Sequence, residues 1–343
     1  MRVGVLTGGG DCPGLNAVIR AIVRKAERHY GDEVLGFLDA WDGVRERRTI
    51  PLTVEVMRGM LPRGGTVLGT RRGSPFDRPH GVEEIEATIA DMGLDALVVV
   101  GGNGSLTVAC RLHGERGLPI VGVPKTIDND IAGTDLTFGF NTAVQIATDA
   151  IDRLHTTAES HNRVMVLEVM GRHAGWIGLY SGLAGGADVI LIPEQPFDIE
   201  RVCHHLKHRH SRGHLFSIVV VAEGAFPQEG TMELPEYETD EFGRPRLGGV
   251  SNVIATEIQR RTGFDTRVTI LGHVQRGGTP TAWDRVLATR FGVAAIDLAS
   301  AGRWGRMVAL RGNEIEDCPL DEAVAELKVV PPELYAVAEV FFG

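Results

Sequence analysis

Three short apolar segments in the first part of the chain each end in a turn rich in glycine or aspartate, and helix-like stretches separate them. The segments and their turns are RVGVLT (2–7) before GGGD (8–11), ALVVV (96–100) before GGNG (101–104), and LPIVGV (118–123), which stops at the proline of PKTIDND (124–130). Alternation of fully apolar strands with helices predicts a doubly wound, mostly parallel sheet. Because ligands bind beyond the carboxyl ends of such strands, we expect the three turns to form one site.

A second alternating set follows later in the sequence. The segments VMVLEV (164–169), ADVILIP (187–193) and SIVVVA (217–222) have the same apolar character. A chain of 343 residues suits two domains better than one. We therefore predict two similar three-layer α/β domains with mostly parallel sheets, and we interpret the Pro-, Gly- and acid-rich stretch 225–250 as a loop or insertion.

Charge and composition exclude several classes of protein. A net charge of −10 disfavours general attraction to nucleic acid or to anionic membrane surfaces. No stretch approaches the roughly 18 apolar residues of a membrane span. The N-terminus leads directly into a strand-like segment without an export leader, so we expect a cytoplasmic protein. Four widely spaced cysteines without a CxxC pair fit free thiols in a reducing compartment.

The turn GGGD, between a strand and a helix, suits an anion. Glycine lets the backbone approach a phosphate closely, and the following helix N-terminus offers unpaired N–H groups. A tight turn that only needs positive φ explains the same glycines equally well. The turn GGNG repeats the pattern, and two such turns at one sheet edge favour a polyphosphate. The first turn is neither a Walker A loop nor a dinucleotide fingerprint.

The stretch PKTIDND adds chemistry to this edge. Asp128 and Asp130 can act separately, one as a base toward a hydroxyl and the other near a metal ion that bridges phosphates. Thr126 can donate a hydrogen bond to a phosphate oxygen, and Lys125 supplies a point charge. An Asp/Asn-rich turn without function is the simpler explanation, but a lysine beside two acids at the end of a buried strand favours function.

Cations that follow apolar segments indicate further phosphate contacts. Arg71 and Arg72 follow a Gly-Thr turn at 65–66 and could clamp a transferring phosphoryl group, although arginine is common throughout this chain. Arg172 follows VMVLEVMG, and RVTILGHVQR ends in a further cluster of cations. The histidine-rich run 204–214 lacks HExxH spacing, and we interpret it as a solvated or subunit-contact surface with metal binding as the minor alternative.

Together the motifs resemble the ATP/pyrophosphate-dependent 6-phosphofructokinase family. The matching stretches, in order, are GVLTGGGDCPGLNAVIR, RGGTVLGTRR, VVVGGNGS, VPKTIDNDI, VMGRHAGW, VAEGA and RVTILGHVQRGGTPTAWDR, from residue 3 to about residue 300. The resemblance implies the phosphofructokinase fold and a cytoplasmic, glycolytic homotetramer. It also implies phosphoryl transfer from Mg²⁺-bound ATP to the 1-hydroxyl of fructose 6-phosphate.

The resemblance also implies roles for individual residues. Asp128 would be the general base, with Thr126, Asp130 and Arg172 completing the catalytic set. The implied phosphoryl-donor contacts are Gly10, Trp41, Arg72, Gly102, Asn103, Gly104, Ser105 and Lys125. The implied sugar-phosphate contacts are Thr126, Asp128, Met170, Gly171, Arg172, Glu223, His273 and Arg276, with Arg163 and Arg267 reaching the sugar phosphate of a neighbouring subunit. Magnesium would lie near Asp130 and Asn103. The donor domain would comprise 1–138 plus 252–304, and the sugar-phosphate domain 139–251 plus 305–343.

Two departures from the family pattern bear on metal and phosphoryl donor. Asn103 stands where the family usually has a magnesium-associated aspartate, so an oxygen ligand is kept but its charge is lost. Family members that use ATP generally have glycine at both 104 and 125, whereas members that use pyrophosphate tend to have aspartate and lysine. This chain combines Gly104 with Lys125. A side chain at 104 would crowd the α-phosphate of ATP, so we expect ATP.

Three alternatives remain open at this point. Pyrophosphate could be the phosphoryl donor in a reversible reaction. The acceptor could be another ketose phosphate, such as sedoheptulose 7-phosphate. The chain could also be a non-catalytic subunit that binds sugar phosphate, which Asn103 favours slightly and the intact Thr126, Asp128, Asp130 and Arg172 set disfavours.

Overall fold

A computed structural model describes residues 1–234 and 248–342. The strands are β1 (Arg2–Gly8), β2 (Glu33–Phe37), β3 (Thr49–Leu52), β4 (Ala96–Gly101), β5 (Ile120–Thr126), β6 (Phe138–Gly139), β7 (Val164–Val169), β8 (Val189–Leu191), β9 (Ser217–Ala222), β10 (Thr266–Ile270), β11 (Arg306–Arg311) and β12 (Glu314–Pro319). The α-helices are α1 (Leu15–Lys25), α2 (Trp41–Arg45), α3 (Gly81–Asp91), α4 (Asn103–Arg116), α5 (Phe140–His161), α6 (Trp176–Ala184), α7 (Ile199–Ser211), α8 (Val250–Thr262), α9 (Ala282–Ser300), α10 (Leu320–Ala325) and α11 (Pro332–Glu339).

The chain divides into two compact units, which we call unit 1 (1–142 and 276–328) and unit 2 (143–275 and 329–343). Each unit contains one mostly parallel sheet with helices, so the predicted α/β class is confirmed. Among the described helices, none is long and apolar enough to cross a membrane. All four cysteines are unpaired, as the sequence predicts.

Unit 1 is organised around a sheet with the strand order β12-β11-β5-β4-β1-β2-β3, and β6 pairs with β5. The central strands are parallel, and antiparallel β3 and β12 close the two sides. Helices α1 and α9 pack against each other, and α9 also contacts β5 and β11. Side chains of α2, α3, α4 and α10 share a separate core cluster with alternate residues of the strands. Because successive strand residues point to opposite faces, these helices form layers on both sides of the sheet.

Unit 2 has a smaller sheet in the order β10-β7-β9-β8, with all pairs parallel. Its strands are apolar because helices cover them: β7 and β9 are buried at every position. Apolar residues of α7 and α8 pack on alternate residues of these strands in one core cluster. The predicted strand at 164–169 coincides with β7.

The predicted boundaries between the two domains differ from those of the units. The prediction gave 252–304 to the first domain and 305–343 to the second. In the structure β10 joins the unit 2 sheet beside β7, so 252–275 belongs to unit 2. Likewise β11 pairs with β5 of unit 1, so 305–328 belongs to unit 1. Both assignments depend on which distant segments pair in a sheet, and the local sequence pattern does not encode that pairing.

Strand β5 also departs from the prediction, because it continues through Pro124 to Thr126. Proline lacks the N–H that a sheet partner would accept, and it is tolerated where one side of a strand has no partner. Strand β11 pairs with β5 only at Val121 and Gly122, which leaves that side unpaired at Pro124. Of the predicted loop at 225–250, residues 235–247 lie outside the described residues.

Candidate active site

The three glycine- or aspartate-rich turns meet at one edge of the unit 1 sheet, as predicted. Gly8 of β1 is aligned with Gly101 of β4, and Gly101 is aligned with Pro124 of β5. The turns after β1 and β4 therefore leave the sheet from the same row, and β5 continues two residues further, to Thr126, before its turn begins. Helix α4 begins at Asn103, so Gly104 lies in its first turn with N–H groups that lack helical partners.

Two of the glycines make room for a serine between the strand ends. A Cβ atom at Gly8 or at Gly101 would overlap the side chain of Ser105. Ser105 is 8% exposed. The resemblance gave Ser105 a phosphoryl-donor contact, and the structure places its side chain as a spacer between β1 and β4.

Lys125 connects two of the three turns. Its ammonium donates a hydrogen bond to the Gly10 carbonyl oxygen, and only 2% of the residue is exposed. Burial lowers the pKa of Lys125, because removal from water disfavours the charged form. The sequence analysis gave Lys125 a point charge beside phosphate, and the structure shows its ammonium holding the first glycine turn against the end of β5.

In the turn after β5, partly exposed and buried side chains alternate along the chain. Thr126, Asp128 and Asp130 are partly exposed, whereas the residues between them, Ile127 and Asn129, are buried. The Asp128 N–H donates to the Thr126 hydroxyl over 3.0 Å, which fixes the start of the turn. The three predicted catalytic residues of unit 1 thus share the accessible side of one turn.

Asn103 also contacts this turn. Its amide nitrogen donates to the Asp130 backbone carbonyl over 3.3 Å, a bond that an aspartate at 103 could not donate. Among residues 1–234 and 248–342, no cluster of three or more His, Cys, Asp or Glu is placed to hold a metal ion. Magnesium in phosphoryl-transfer sites usually needs only one or two carboxylates besides substrate phosphates. The carboxylates of Asp128 and Asp130 fit that smaller requirement.

The Gly-Thr turn at 65–66 is held by a residue that the sequence analysis missed. Asn16 of α1 is 2% exposed, donates to the carbonyls of Arg63 and Gly64 and accepts from the Val67 N–H. The Thr70 hydroxyl donates to the Gly9 carbonyl, so this segment also contacts the first glycine turn. The sequence does contain a signal for this role, because Asn16 is a polar residue on the apolar face of α1.

Three further residues assigned by resemblance occupy different surroundings. Arg72 is exposed beyond this segment. Trp41, predicted near the nucleotide, is 3% exposed and packs in the core with Phe37 and Val44. Arg276, predicted at the sugar phosphate, lies in unit 1, where a Cβ atom at Gly10 would overlap its guanidinium. Arg276 therefore lies directly on the first glycine turn.

Five of the predicted sugar-phosphate residues of unit 2 lie at the carboxyl ends of β7, β9 and β10: Met170, Gly171, Arg172, Glu223 and His273. The backbones after β7 and β9 run side by side, with the Gly224 N–H donating to the Gly171 carbonyl over 3.1 Å. Gln275, fully buried, accepts from the Met170 N–H, which ties the turn containing His273 to β7. The partly exposed Arg172 and Glu223 and the exposed His273 thus lie on three neighbouring strand ends.

Arg163 and Arg267 lie at the opposite ends of these strands. Arg163 precedes β7, Arg267 is the second residue of β10, and both guanidiniums bind the Asp265 carboxylate, at 2.6 and 2.7 Å. Five residue steps separate Val164 from Val169, or about 16 Å at about 3.3 Å per residue. The structure does not bring these two arginines together with Arg172.

These features are typical of an α/β phosphate-binding protein whose candidate site residues lie at the carboxyl ends of its strands. Comparison with known proteins agrees, because residues 2–299 match the family described as phosphofructokinase. The chain is 59% identical over 343 residues to the pyrophosphate–fructose 6-phosphate 1-phosphotransferase of Streptomyces coelicolor, with both chains fully covered. It is 56% identical over 344 residues to the ATP-dependent 6-phosphofructokinase of Mycobacterium leprae, again with both fully covered.

A solved phosphofructokinase from Saccharomyces cerevisiae is 34% identical and superimposes with a TM-score of 0.82. That comparison covers 99% of this chain and 46% of the yeast chain. The chain belongs to the phosphofructokinase family.

Proposed function

We propose that this protein transfers a phosphoryl group from Mg²⁺-bound ATP to the 1-hydroxyl of fructose 6-phosphate, giving fructose 1,6-bisphosphate and ADP. The observation that carries this proposal is the row formed by Gly8, Gly101 and Pro124, which brings two glycine turns and the Asp128 turn to one edge. Asp128 accepts the hydroxyl proton as the sugar oxygen attacks the terminal phosphorus. Positioning and charge neutralisation supply the remaining catalysis in such reactions.

ATP is the proposed phosphoryl donor because of the space at position 104. Apart from its own turn of helix, a Cβ atom on Gly104 would meet no heavy atom of the described chain within 4 Å, so glycine leaves room for an α-phosphate that a larger side chain would fill. Lys125, the feature shared with pyrophosphate-using members, has its ammonium bonded to the Gly10 carbonyl. This hydrogen bond positions the turn, and the side chain does not block a nucleotide.

Magnesium would be held by Asp130, with Asp128 near it and the Asn103 amide oxygen as a neutral neighbour. When bound, the ion neutralises charge on the phosphates. In unit 2, Met170, Gly171, Arg172, Glu223 and His273 would bind the sugar phosphate, with Arg172 also steadying the transferring group. Arg276, which lies beside Gly10, would also contact the sugar phosphate, and Trp41, Arg72, Gly102 and Ser105 would contact the phosphoryl donor.

The proposed enzyme is a cytoplasmic homotetramer whose sugar site is shared between subunits. Arg163 and Arg267 support sharing, because both lie at the strand ends opposite Arg172 and are held together by Asp265. A paired cluster of this kind can reach a phosphate bound by another copy of the chain. Unit 1 would bind the phosphoryl donor, and unit 2 would bind the sugar phosphate.

Pyrophosphate-dependent transfer is the second candidate, favoured by the name of the Streptomyces relative at 59% identity. The deciding experiment measures initial rates with purified protein, Mg²⁺ and fructose 6-phosphate, using either ATP or pyrophosphate. We expect kcat/KM for ATP to exceed that for pyrophosphate by at least about 10²-fold, or about 2.7 kcal/mol. A preference for pyrophosphate would overturn the choice of ATP. Sedoheptulose 7-phosphate in place of fructose 6-phosphate tests the acceptor in the same assay.

A further inference from the structure

The segment that ends unit 1 is joined to the Asp128 turn by main-chain hydrogen bonding. Leu327 and Ile131 form an antiparallel bridge, and the Lys328 N–H donates to the Asp130 carbonyl over 3.0 Å. Almost two hundred residues separate the two segments in sequence. The Asp130 carbonyl therefore accepts from both Lys328 and Asn103, which fixes the backbone of the turn from two sides.

The Lys328 side chain makes a second set of contacts inside the same turn. Its ammonium donates to Asn129 Oδ1 at 3.0 Å, to the Thr134 carbonyl at 2.8 Å and to the Asp135 carbonyl at 2.7 Å. Three acceptors match the three N–H bonds of an ammonium group. The group thus crosslinks the beginning and the end of the segment 129–135.

Asn129 is the residue through which this crosslink reaches Asp128. It is 1% exposed, and its φ of 51° is in the left-handed region, which few non-glycine residues adopt. Its Oδ1 accepts from the Thr137 N–H over 3.1 Å as well as from Lys328. An unfavourable backbone conformation between two aspartates is therefore held by contacts of its own side chain.

The electrostatics of Lys328 agree with this geometry. Burial lowers its pKa to about 8, while the carboxylates of Asp135 and Asp130 oppose that decrease. A partly buried ammonium is retained at neutral pH when hydrogen-bond acceptors surround it. Loss of Lys328 would remove the side-chain donor to the carbonyl of Thr134, a residue only 3% exposed, which is more costly than the loss of an exposed contact.

We propose that Lys328 is a positioning residue, which fixes the backbone at Asn129 and Asp130 and so orients the Asp128 carboxylate toward the acceptor hydroxyl. The inference rests on the proposed function, since it assigns Asp128 the role of base. Because Lys328 acts through its bonds to residues 129–135, its effect should appear in the rate of transfer more than in binding of fructose 6-phosphate.

The experiment compares Lys328→Met with Lys207→Met, which removes an exposed lysine on α7 of unit 2. We expect Lys328→Met to lower kcat between about 10- and 100-fold with KM for fructose 6-phosphate changed less than about threefold, as a small displacement of a catalytic group would. Lys207→Met should stay within about twofold of the wild type. A fall confined to KM, or no change in kcat, would overturn the proposal.

Hydrogen exchange gives a readout that does not depend on turnover. In Lys328→Met, the amides of residues 129–137 should exchange faster, while those of β7 and β9 keep their wild-type protection. Unchanged protection at 129–137 would contradict the proposal even if the wild type proved inactive with both phosphoryl donors. Inactivity of the wild type itself would instead overturn the proposed function. Should Lys328→Met fail to fold, Asn129→Ala removes one acceptor of the same crosslink and should show the same fall in kcat.

Discussion

The two strand-end edges of the molecule are stabilised in different ways. At the unit 1 edge, polar side chains hold the turns: the buried Lys125 bonds to Gly10, the buried Asn16 to the turn at 63–67, and the partly buried Lys328 to the segment 129–135. At the unit 2 edge, main-chain bonds join the turns after β7 and β9, as between Gly224 and Gly171 and between Glu223 and Val169, and the buried Gln275 side chain adds one bond from the Met170 N–H. Partly exposed side chains project from this main-chain framework.

The difference fits the two tasks proposed for the edges. A phosphate chain and an attacked hydroxyl require fixed N–H groups and a fixed base, and buried charges on rigid turns provide that preorganisation. A sugar phosphate needs a few directional side chains, and these can adapt when the ligand binds. Substitutions at the first edge should therefore act on kcat and on the choice of phosphoryl donor, whereas those at the second should act on KM.

The largest expected effect is that of Asp128→Asn. Loss of the base should lower kcat by about 10³-fold, within the usual range for general base catalysis, with little change in KM for fructose 6-phosphate. Glu223→Gln at the unit 2 edge is the matched carboxylate-to-amide change and should raise KM more than it lowers kcat. Steady-state rates for both variants test this contrast. If kcat and KM changed in the same way in the two variants, the contrast between the edges would be wrong.

The next effect concerns the choice of phosphoryl donor. Gly104→Asp should lower kcat/KM for ATP by about 10²-fold, or about 2.7 kcal/mol, because its side chain fills the space left for the α-phosphate. Gly114→Asp is a close control, since Gly114 lies in the same helix and its Cβ would also meet no atom of the described chain within 4 Å. If ATP turnover survived the change at 104 unaltered, the steric argument would be wrong.

Lys125→Met should reduce activity without reducing stability. The variant removes the hydrogen bond to Gly10, and we expect a loss of about tenfold in kcat/KM with ATP, or about 1.4 kcal/mol. It also removes a buried charge, whose desolvation disfavours the folded state, so Tm should stay the same or rise. Rates and thermal unfolding, with Lys207→Met as control, measure both. A much larger loss with pyrophosphate than with ATP would show that the ammonium also binds phosphate.

The smallest expected effect lies outside both edges, at Glu257 on α8. Hydrogen bonds from Arg260 and then Arg261 lower the pKa of Glu257 from 4.5 to about 2. Since the folded state favours the carboxylate, this stabilisation is present above pH 4.5 and is lost as the pH falls toward 2.

Glu257→Gln should therefore lower the free energy of unfolding at pH 7 by less than about 1 kcal/mol, with a slight fall in Tm. The difference in Tm between the variant and the wild type should be smaller at pH 3. Glu115→Gln removes a single exposed partner of Arg111 and should have less effect. Thermal unfolding between pH 3 and 7 gives the comparison. A difference that grew at low pH would contradict the pKa direction.

The sequence predicted those parts of the fold that depend on local pattern. Strand β7 has its predicted bounds, and Gly8 and Gly101 end β1 and β4 at the same edge, because apolar strands and glycine turns are local signals. The ammonium of Lys125 could not be placed, because the strand was ended at Pro124. Continuing β5 to Thr126 puts Lys125 and Thr126 on opposite faces by strand alternation.

Contacts between distant segments were beyond the sequence analysis. Lys328 meets Asn129 across almost two hundred residues, and β10 meets β7 across about a hundred. Nothing in the residues near 328 indicates the turn that they support. The contact of Asn103 with the Asp130 carbonyl could not be predicted for the same reason, although Asn103 was noted as a departure from the family pattern.

The scarcity of lysine has a consequence for amine chemistry. The chain has four lysines: Lys125 is buried, Lys328 is enclosed by its three acceptors, and Lys25 has a side chain only 19% exposed, which leaves Lys207 on the surface of α7. Acylating reagents and amine-directed crosslinkers should therefore label the folded protein sparsely. Modification at position 125 would report that the two turns it joins had separated, which makes that amine an intrinsic probe of local opening.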